Sequence, residues 1–363
     1  MTQQPMNGLP PEAFGAALAA APGMGPARLR ELLARWTPEE AWAAAGDRRV
    51  DVAERWLTYE RAGVTVHLLG RCGYPPVLAG DHEPPAVLFS VGDLAAVDGP
   101  RVAIIGSRRC TRYGRDVAFD LGRDLARCGV HVVSGLALGI DGAAHLGVLA
   151  AAAAAAPPVA VVGSGLDVVY PRAHDRLWRQ VAEAGLLLSE APLGGRPEGW
   201  RFPARNRILA ALADVVVVVE SRAKGGSFHT VQAADQRGVP VMAVPGPVRS
   251  PASEYTNELL VSGSPPARDV DDVLVALDLV GRGPARRRAP ACAAASPPTP
   301  DDPNQTALLE AMGWQPASLD QLVVRTGLTP GQASVALAHL EMGGWVVGQA
   351  GWWEQVRKEV PAK

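Results

Sequence analysis

Residues 102–106, VAIIG, decide the fold: an aliphatic run stops at a glycine and gives way to a polar, helix-like stretch. The same event recurs at HVVSG (131–135), VAVVG (159–163), LLLSE (186–190), VVVVVE (215–220) and VPVMAVPG (239–246). Uninterrupted aliphatic runs bounded by turn residues read as strands buried on both faces. Amphipathic segments between them supply the crossovers of a doubly wound, parallel α/β sheet. Such a sheet gathers its ligand at the carboxyl ends of its strands, where these runs end in glycine, serine or glutamate.

Outward from that sheet the chain divides. Residues up to about 63 are rich in Ala, Leu and Gly at helical spacing, and the sheet occupies residues 64–280, entered through a proline-rich lead-in. Residues 281–303, GRGPARRRAPACAAASPPTPDDP, lack periodicity and read as a linker, with Arg286 to Arg288 suiting a solvated tether better than a nucleic-acid contact. The tract Ala150 to Ala156 is expected to extend a helix until Pro157 stops it. Residues 304–363 read as three helices, the second beginning at Ser318 and the third capped by Thr329, followed by a hairpin in WVVGQAGWWEQV. That order suggests a winged helix. Its third helix carries no Lys or Arg, so protein docking suits it better than a DNA groove.

Composition narrows the partners. The 363 residues are 48% hydrophobic and 20% charged, with a formal net charge of -2, so any nucleic-acid surface must be a local patch. Cys72, Cys110, Cys128 and Cys292 form no C-x-x-C pair, and no apolar run is long enough to span a bilayer. A reduced, cytoplasmic protein without metal or cofactor, and without membrane contact, is the expectation.

Three clusters carry the chemistry. In GSRRCTRYGRD (106–116), Gly106 permits a tight turn, and the amides around Ser107 and the following helix start form an expected anion site beside Arg108. Arg112 and Arg115 suit surface decoration. In WRFPARNRILAALA (200–213), Arg201, Arg205 and Arg207 lie among Trp200, Phe202 and Asn206; guanidinium groups pair with phosphates and flat rings stack on bases, although Phe202 and Ile208 also suit a core. In ESRAKGGSFHT (220–230), Lys224 is the sole lysine before Lys358, beside Gly225, Gly226 and Ser227 at a helix start, where an ammonium suits a phosphate. Phe228 packs or stacks.

Absences prune the alternatives. No G-x-x-x-x-G-K-[ST] or G-x-S-x-G occurs, and VVGSGLDVVYP (161–171) lacks the third glycine of a dinucleotide fingerprint. Asp141 and His145, four apart, read as a capping aspartate and a hydrogen-bonded histidine rather than as metal ligands. GGSFHTVQ looks like a degraded form of the P-G-G-x-G-T-x-x-E helix start of sheets that cleave nucleotide N-glycosidic bonds, with Gln232 at the carboxylate position. An amide cannot accept that proton, and Glu190 or Glu220 would have to replace it. A nucleotide-hydrolysing enzyme and a winged-helix transcription regulator are the rival readings.

In order, VAIIGSRRCTRYG, VVSGLALGIDGAAH, AVVGSGLDVVYP, LLLSEAPLGGRP, FPARNRILAAL, VVVVVESRAKGGSFHT and VMAVPG resemble the DprA/Smf family of DNA-processing proteins over nearly the whole chain. The resemblance implies an extended Rossmann-like sheet domain, an N-terminal helical domain (SAM-like or helix-hairpin-helix-like) and a C-terminal winged helix of the DML1-like type. It implies a non-catalytic, homodimeric protein that binds single-stranded DNA and helps load the RecA recombinase during natural transformation. The family's basic pocket maps onto Gly106, Ser107 and Arg108, onto Arg205, Asn206 and Arg207, and onto Lys224 through Ser227, with Phe228 beside it. Leu138 stands where the family usually has arginine, Gly225 and His229 where it has serine and isoleucine, and Tyr255 where it has glycine. PGMGPARLRELL (22–33) resembles a helix-hairpin-helix turn, whose glycines serve either a phosphate or a simple connection.

Overall fold

A computed structural model of the protein describes residues 8–47, 49–152, 155–223, 225–283, 300, 302–313, 316–349 and 351–356. The chain forms two units, residues 1–287 and 288–363.

The first unit opens with four helices, α1 (Pro11–Ala19), α2 (Pro26–Arg35), α3 (Pro38–Ala45) and α4 (Val52–Arg61). Proline in the first turn pre-sets φ for α1 to α3, Thr37 and Glu40 close a capping box on α3, and Asp51 caps α4. There follow β1 (Thr65–Leu68), α5 (Pro76–Ala79), β2 (Val87–Gly92), β3 (Arg101–Ile105), α6 (Arg112–Arg127), β4 (His131–Ser134), α7 (Ile140–Leu149) and β5 (Val159–Val162). The unit ends with α8 (Asp175–Ala184), β6 (Leu186–Ser189), α9 (Arg201–Leu212), β7 (Val215–Val218), α10 (Ser227–Asp235), β8 (Val241–Ala243), α11 (Glu254–Val261) and α12 (Val270–Leu279).

The six aliphatic runs are β3 to β8, and they make one parallel array in the order β6-β5-β4-β3-β7-β8. Their side chains are buried on both faces, as helix-covered parallel strands require. Two strands that the lead-in did not announce, β1 and β2, extend this sheet antiparallel beyond β6. The N-terminal helices share a core with that extension: Phe14, Leu18 and Tyr59 pack with Val66, Leu68, Phe89 and Leu187. The alanine tract departs from expectation. Helix α7 stops at Leu149, and the chain turns so that the Ala156 amide meets the Ala126 carbonyl at 2.9 Å and leads into β5.

The second unit contains α13 (Pro303–Met312), β9 (Ala317–Ser318), α14 (Leu319–Thr326), α15 (Pro330–Met342), β10 (Val346–Gln349) and β11 (Trp352–Gln355). Capping boxes at Ser318 and Thr329 start its second and third helices where the sequence places them. The hairpin pairs with β9 in the order β10-β11-β9, a winged helix closed over Leu308, Leu322, Leu337 and Leu340.

Candidate nucleic-acid interface

The chain winds from β3 outward to β6 and then returns to place β7 on the other side of β3. The crevice at this reversal is the expected ligand position of an open sheet. Here it holds the protein's own carboxylate. Glu220, 1% exposed at the end of β7, accepts the Thr111 amide at 2.8 Å and the Thr111 hydroxyl, while its carbonyl accepts the Ser107 amide at 2.7 Å. The Thr111 hydroxyl in turn accepts the Gly114 amide. The anion site expected from the amides at the start of α6 is therefore filled from within. Gly106 is confined by the same contact, since a Cβ there would lie 2.7 Å from the Glu220 carbonyl oxygen. Arg112 lies 3.8 Å from Asp116 along the helix surface, whereas Arg108 and Arg109 are exposed.

Open space lies instead over the carboxyl ends of β4 and β5. An open cleft there is walled by Arg108, Leu138, Tyr170 and Phe202, with Gly135 and Arg205 among its other residues. The Arg108 guanidinium stands 5.0 Å from the centre of the Phe202 ring, and Tyr170 lies 5.5 Å from the same ring. A cation against an aromatic face stays available to a phosphate while the rings offer a stacking surface. Leu138 and Tyr170 are both about two-fifths exposed, giving the rim an apolar edge.

Arg205 is buried at this cleft and donates to the Val161 carbonyl, while its Nε has no partner among the described residues. Burial lowers its pKa to about 10, against the pull of Asp141. It remains charged at neutral pH. Gly135 is needed here, because a Cβ would collide with the Arg205 guanidinium and displace it from that carbonyl. Asp141 accepts the Gly135 amide at 3.1 Å from within the first turn of α7, whose N-cap is Gly139. It is a loop clasp rather than the expected helix cap. His145 departs from expectation too: it is wholly buried and neither ring nitrogen makes a well-formed hydrogen bond. Burial pushes its pKa down to about 3, the Ser134 backbone acting weakly the other way.

The remaining candidates take different directions from α9. Asn206 reaches the Gly226 carbonyl at 3.4 Å and so ties α9 to the start of α10. Arg207 donates to both oxygens of Glu190, at 2.6 and 2.7 Å, and to the Glu83 carbonyl at 2.9 Å. Its charge is balanced internally. Burial raises the Glu190 pKa, with Arg207 opposing the rise. Lys224 lies outside the described residues. Beside it, the Gly225 amide bonds to the Arg222 carbonyl, Gly226 is the N-cap of α10, and the Ser227 hydroxyl meets that of Ser221 at 2.6 Å. Phe228 packs edge-on against Tyr255 at 5.9 Å and remains 39% exposed. Arg108 and Arg205 thus share one cleft, Asn206 links the second cluster to the third, and Arg207 turns to Glu190.

Sequence reasoning missed Tyr170. Its available signal was an aromatic residue beside a proline in the loop after β5, at the same carboxyl edge as the chosen clusters. Among the described residues no group of three His, Cys, Asp or Glu side chains converges as metal ligands would, and no helix is long and apolar enough to cross a membrane.

Comparison with known proteins agrees with this architecture. Residues 65–278 match the family described as DNA recombination-mediator protein A, and residues 293–351 match the DprA winged helix domain. A putative DNA processing protein DprA of Mycobacterium tuberculosis is 39% identical over 278 residues, covering 75% of this chain and 69% of that protein. Protein Smf of Escherichia coli is 32% identical over 290 residues, covering 78% and 75%. The X-ray structure of DprA from Streptococcus pneumoniae superposes with a TM-score of 0.63 at 29% identity, over 74% of this chain and 98% of that one. DprA from Helicobacter pylori, whose structure describes a single-stranded DNA binding mode, gives 0.52 at 30% identity, over 60% and 96%. The chain belongs to the DprA/Smf family of DNA-processing proteins.

Proposed function

We propose that the protein binds single-stranded DNA without cleaving it and presents the strand to a RecA-type recombinase during natural transformation in the cytoplasm. The observation that carries this reading is the cleft over β4 and β5, where the exposed Arg108 guanidinium lies against Phe202 beside Tyr170. Cations there neutralise phosphates, and the rings receive bases that a duplex keeps stacked inward. The solved Helicobacter pylori relative adds weight, since it binds single-stranded DNA.

The candidate residues divide the work. Arg108, Lys224 and the Nε of Arg205 meet phosphates, and Phe228 adds an exposed ring. Gly106, Ser107, Asn206, Arg207, Gly225, Gly226 and Ser227 hold the loops that present them. A non-hydrolytic role is supported by the fate of the two spare carboxylates. Glu190 is clamped by Arg207 and Glu220 by Thr111, so neither is poised as a general base, and Gln232 stands where a catalytic acid would be needed. A homodimer is supported by α12, whose Val275 and Leu279 are exposed one turn apart. Pairing two clefts raises affinity through effective concentration.

The test is a gel shift of the full chain with single- and double-stranded oligonucleotides. Wild type should prefer the single strand, and the double substitution Arg108→Ala with Lys224→Ala should lose it while the fold persists. Retained binding overturns the assignment. Release of free base from a nucleoside monophosphate would establish the hydrolase instead.

A further inference from the structure

A second, shallow and half-open hollow lies at the start of α9, between Trp200, Arg201, Glu190 and Pro26 of α2. Gly163 and Arg205 line both this hollow and the Arg108 cleft, so the two meet along a shared wall. At that wall stands Arg205, 6% exposed, with its Nε hydrogen unclaimed among the described residues. Arg201 presents the same feature: its Nε is buried without a partner among the described residues, and its guanidinium lies 4.5 Å from the Trp200 ring. Trp200 is 46% exposed and is steered by its Nε1 donating to Glu198. The acid lining the hollow, Glu190, is already neutralised by both nitrogen-to-oxygen contacts of Arg207.

The composition of the first cleft is thus repeated. Each hollow sets a guanidinium against an aromatic ring, Arg108 on Phe202 in one and Arg201 on Trp200 in the other, and Arg205 serves as the common floor. Two buried N–H donors with no acceptor are costly unless an anion or polar ligand meets them. Trp200 and Phe202 flank Arg201 in the chain, so the two rings are held by adjoining residues of one helix start.

We propose that this hollow is a second nucleotide subsite. A single strand passes from the Arg108 cleft over Arg205 into the groove between Trp200 and α2, one base stacking on the Trp200 indole and its phosphate accepting from Arg201. Pro26, the first residue of α2, lines this path, and Arg30 of the same helix is close enough to Glu190 to act on its charge. The N-terminal helices are then part of the DNA track. This inference rests on the Arg108 cleft being the single-strand site.

Fluorescence anisotropy of the full chain with two oligothymidylates, of roughly 4 and roughly 12 nucleotides, separates the claims. Trp200→Ala with Arg201→Ala should leave the short strand's affinity unchanged and weaken the long strand about tenfold. Trp200→Phe with Arg201 kept should restore most of the loss, because the ring and the cation are retained. Long-strand binding equal to wild type in the double variant, or equal losses for both strands, overturns the second subsite. Arg108→Ala should weaken both strands; if it weakens neither, the single-strand reading of the first cleft falls, whatever the second hollow does.

Discussion

Arg108 and Arg207 carry the same guanidinium in opposite circumstances. Arg108 is exposed against Phe202, and Arg207 is largely buried, with one terminal nitrogen donating to both Glu190 oxygens. Arg108→Ala should lower the salt dependence of single-strand binding by about 0.7 in the log–log slope, with the unfolding midpoint unchanged. Arg207→Ala should do the reverse: it strands the Glu190 carboxylate and costs about 3 kcal/mol in urea unfolding, with the salt slope retained. Identical salt slopes for Arg108→Ala and wild type would remove Arg108 from the phosphate contacts. His145 makes a separate prediction from burial alone. Its pKa falls from the ordinary 6.5 to about 3, so the folded chain keeps the ring neutral where the unfolded chain protonates it. That stabilisation is complete above pH 6.5 and drains away as pH falls toward 3. Between pH 6.5 and about pH 5 it removes about 2 kcal/mol from the sheet unit, and His145→Gln should flatten this slope in paired urea melts.

Helix α6 and strand β7 are joined by a contact that crosses the switch point, Glu220 onto Thr111. Glu220→Ala leaves the Thr111 amide without its acceptor and should cost about 1 to 3 kcal/mol by urea unfolding, whereas Glu220→Gln should recover part of it. A midpoint unchanged in the alanine variant would mean that water replaces the carboxylate freely. The pairing also marks how far sequence reading reaches. Strands β3 to β8 were legible because burial on both faces demands uninterrupted aliphatic runs, and the capping residues Ser318 and Thr329 announced α14 and α15. Strands β1 and β2 were not, since TVHL and VLFSVG are short and flanked by a proline-rich lead-in that suggests irregular chain. The three basic clusters were legible as a carboxyl-edge set, but the direction each side chain takes depends on partners far away in sequence. Glu190 for Arg207, the Val161 carbonyl for Arg205 and Glu220 for the start of α6 are all tertiary facts. Phe202 was balanced between core and stacking on pattern alone, and the structure places its ring beneath Arg108 at the wall of the cleft.

The whole molecule carries a net charge of -2, so long-range attraction to a polyanion is weak and affinity must come from a few local contacts. For a short strand that occupies only the Arg108 cleft, the site built from Arg108, Lys224 and Arg205 gives a salt slope of roughly -2, at about 0.7 per cation. The winged helix supplies none of these. Its third helix, PGQASVALAHLEM, has no Lys or Arg, and the unit exposes Val335 and Met342 on that helix and Trp352 on β11. Apolar exposure without cations suits contact with protein rather than phosphate. A chain ending at Arg287 should therefore bind a short single-stranded oligonucleotide with nearly the full affinity and the same slope of roughly -2, measured by anisotropy across a potassium chloride series. Its sheet unit keeps its own core, so the truncation tests binding and not folding. A collapse of affinity on removing residues 288–363, with the slope falling alongside, would transfer the phosphate contacts to the winged helix and take them away from the carboxyl edge of the sheet.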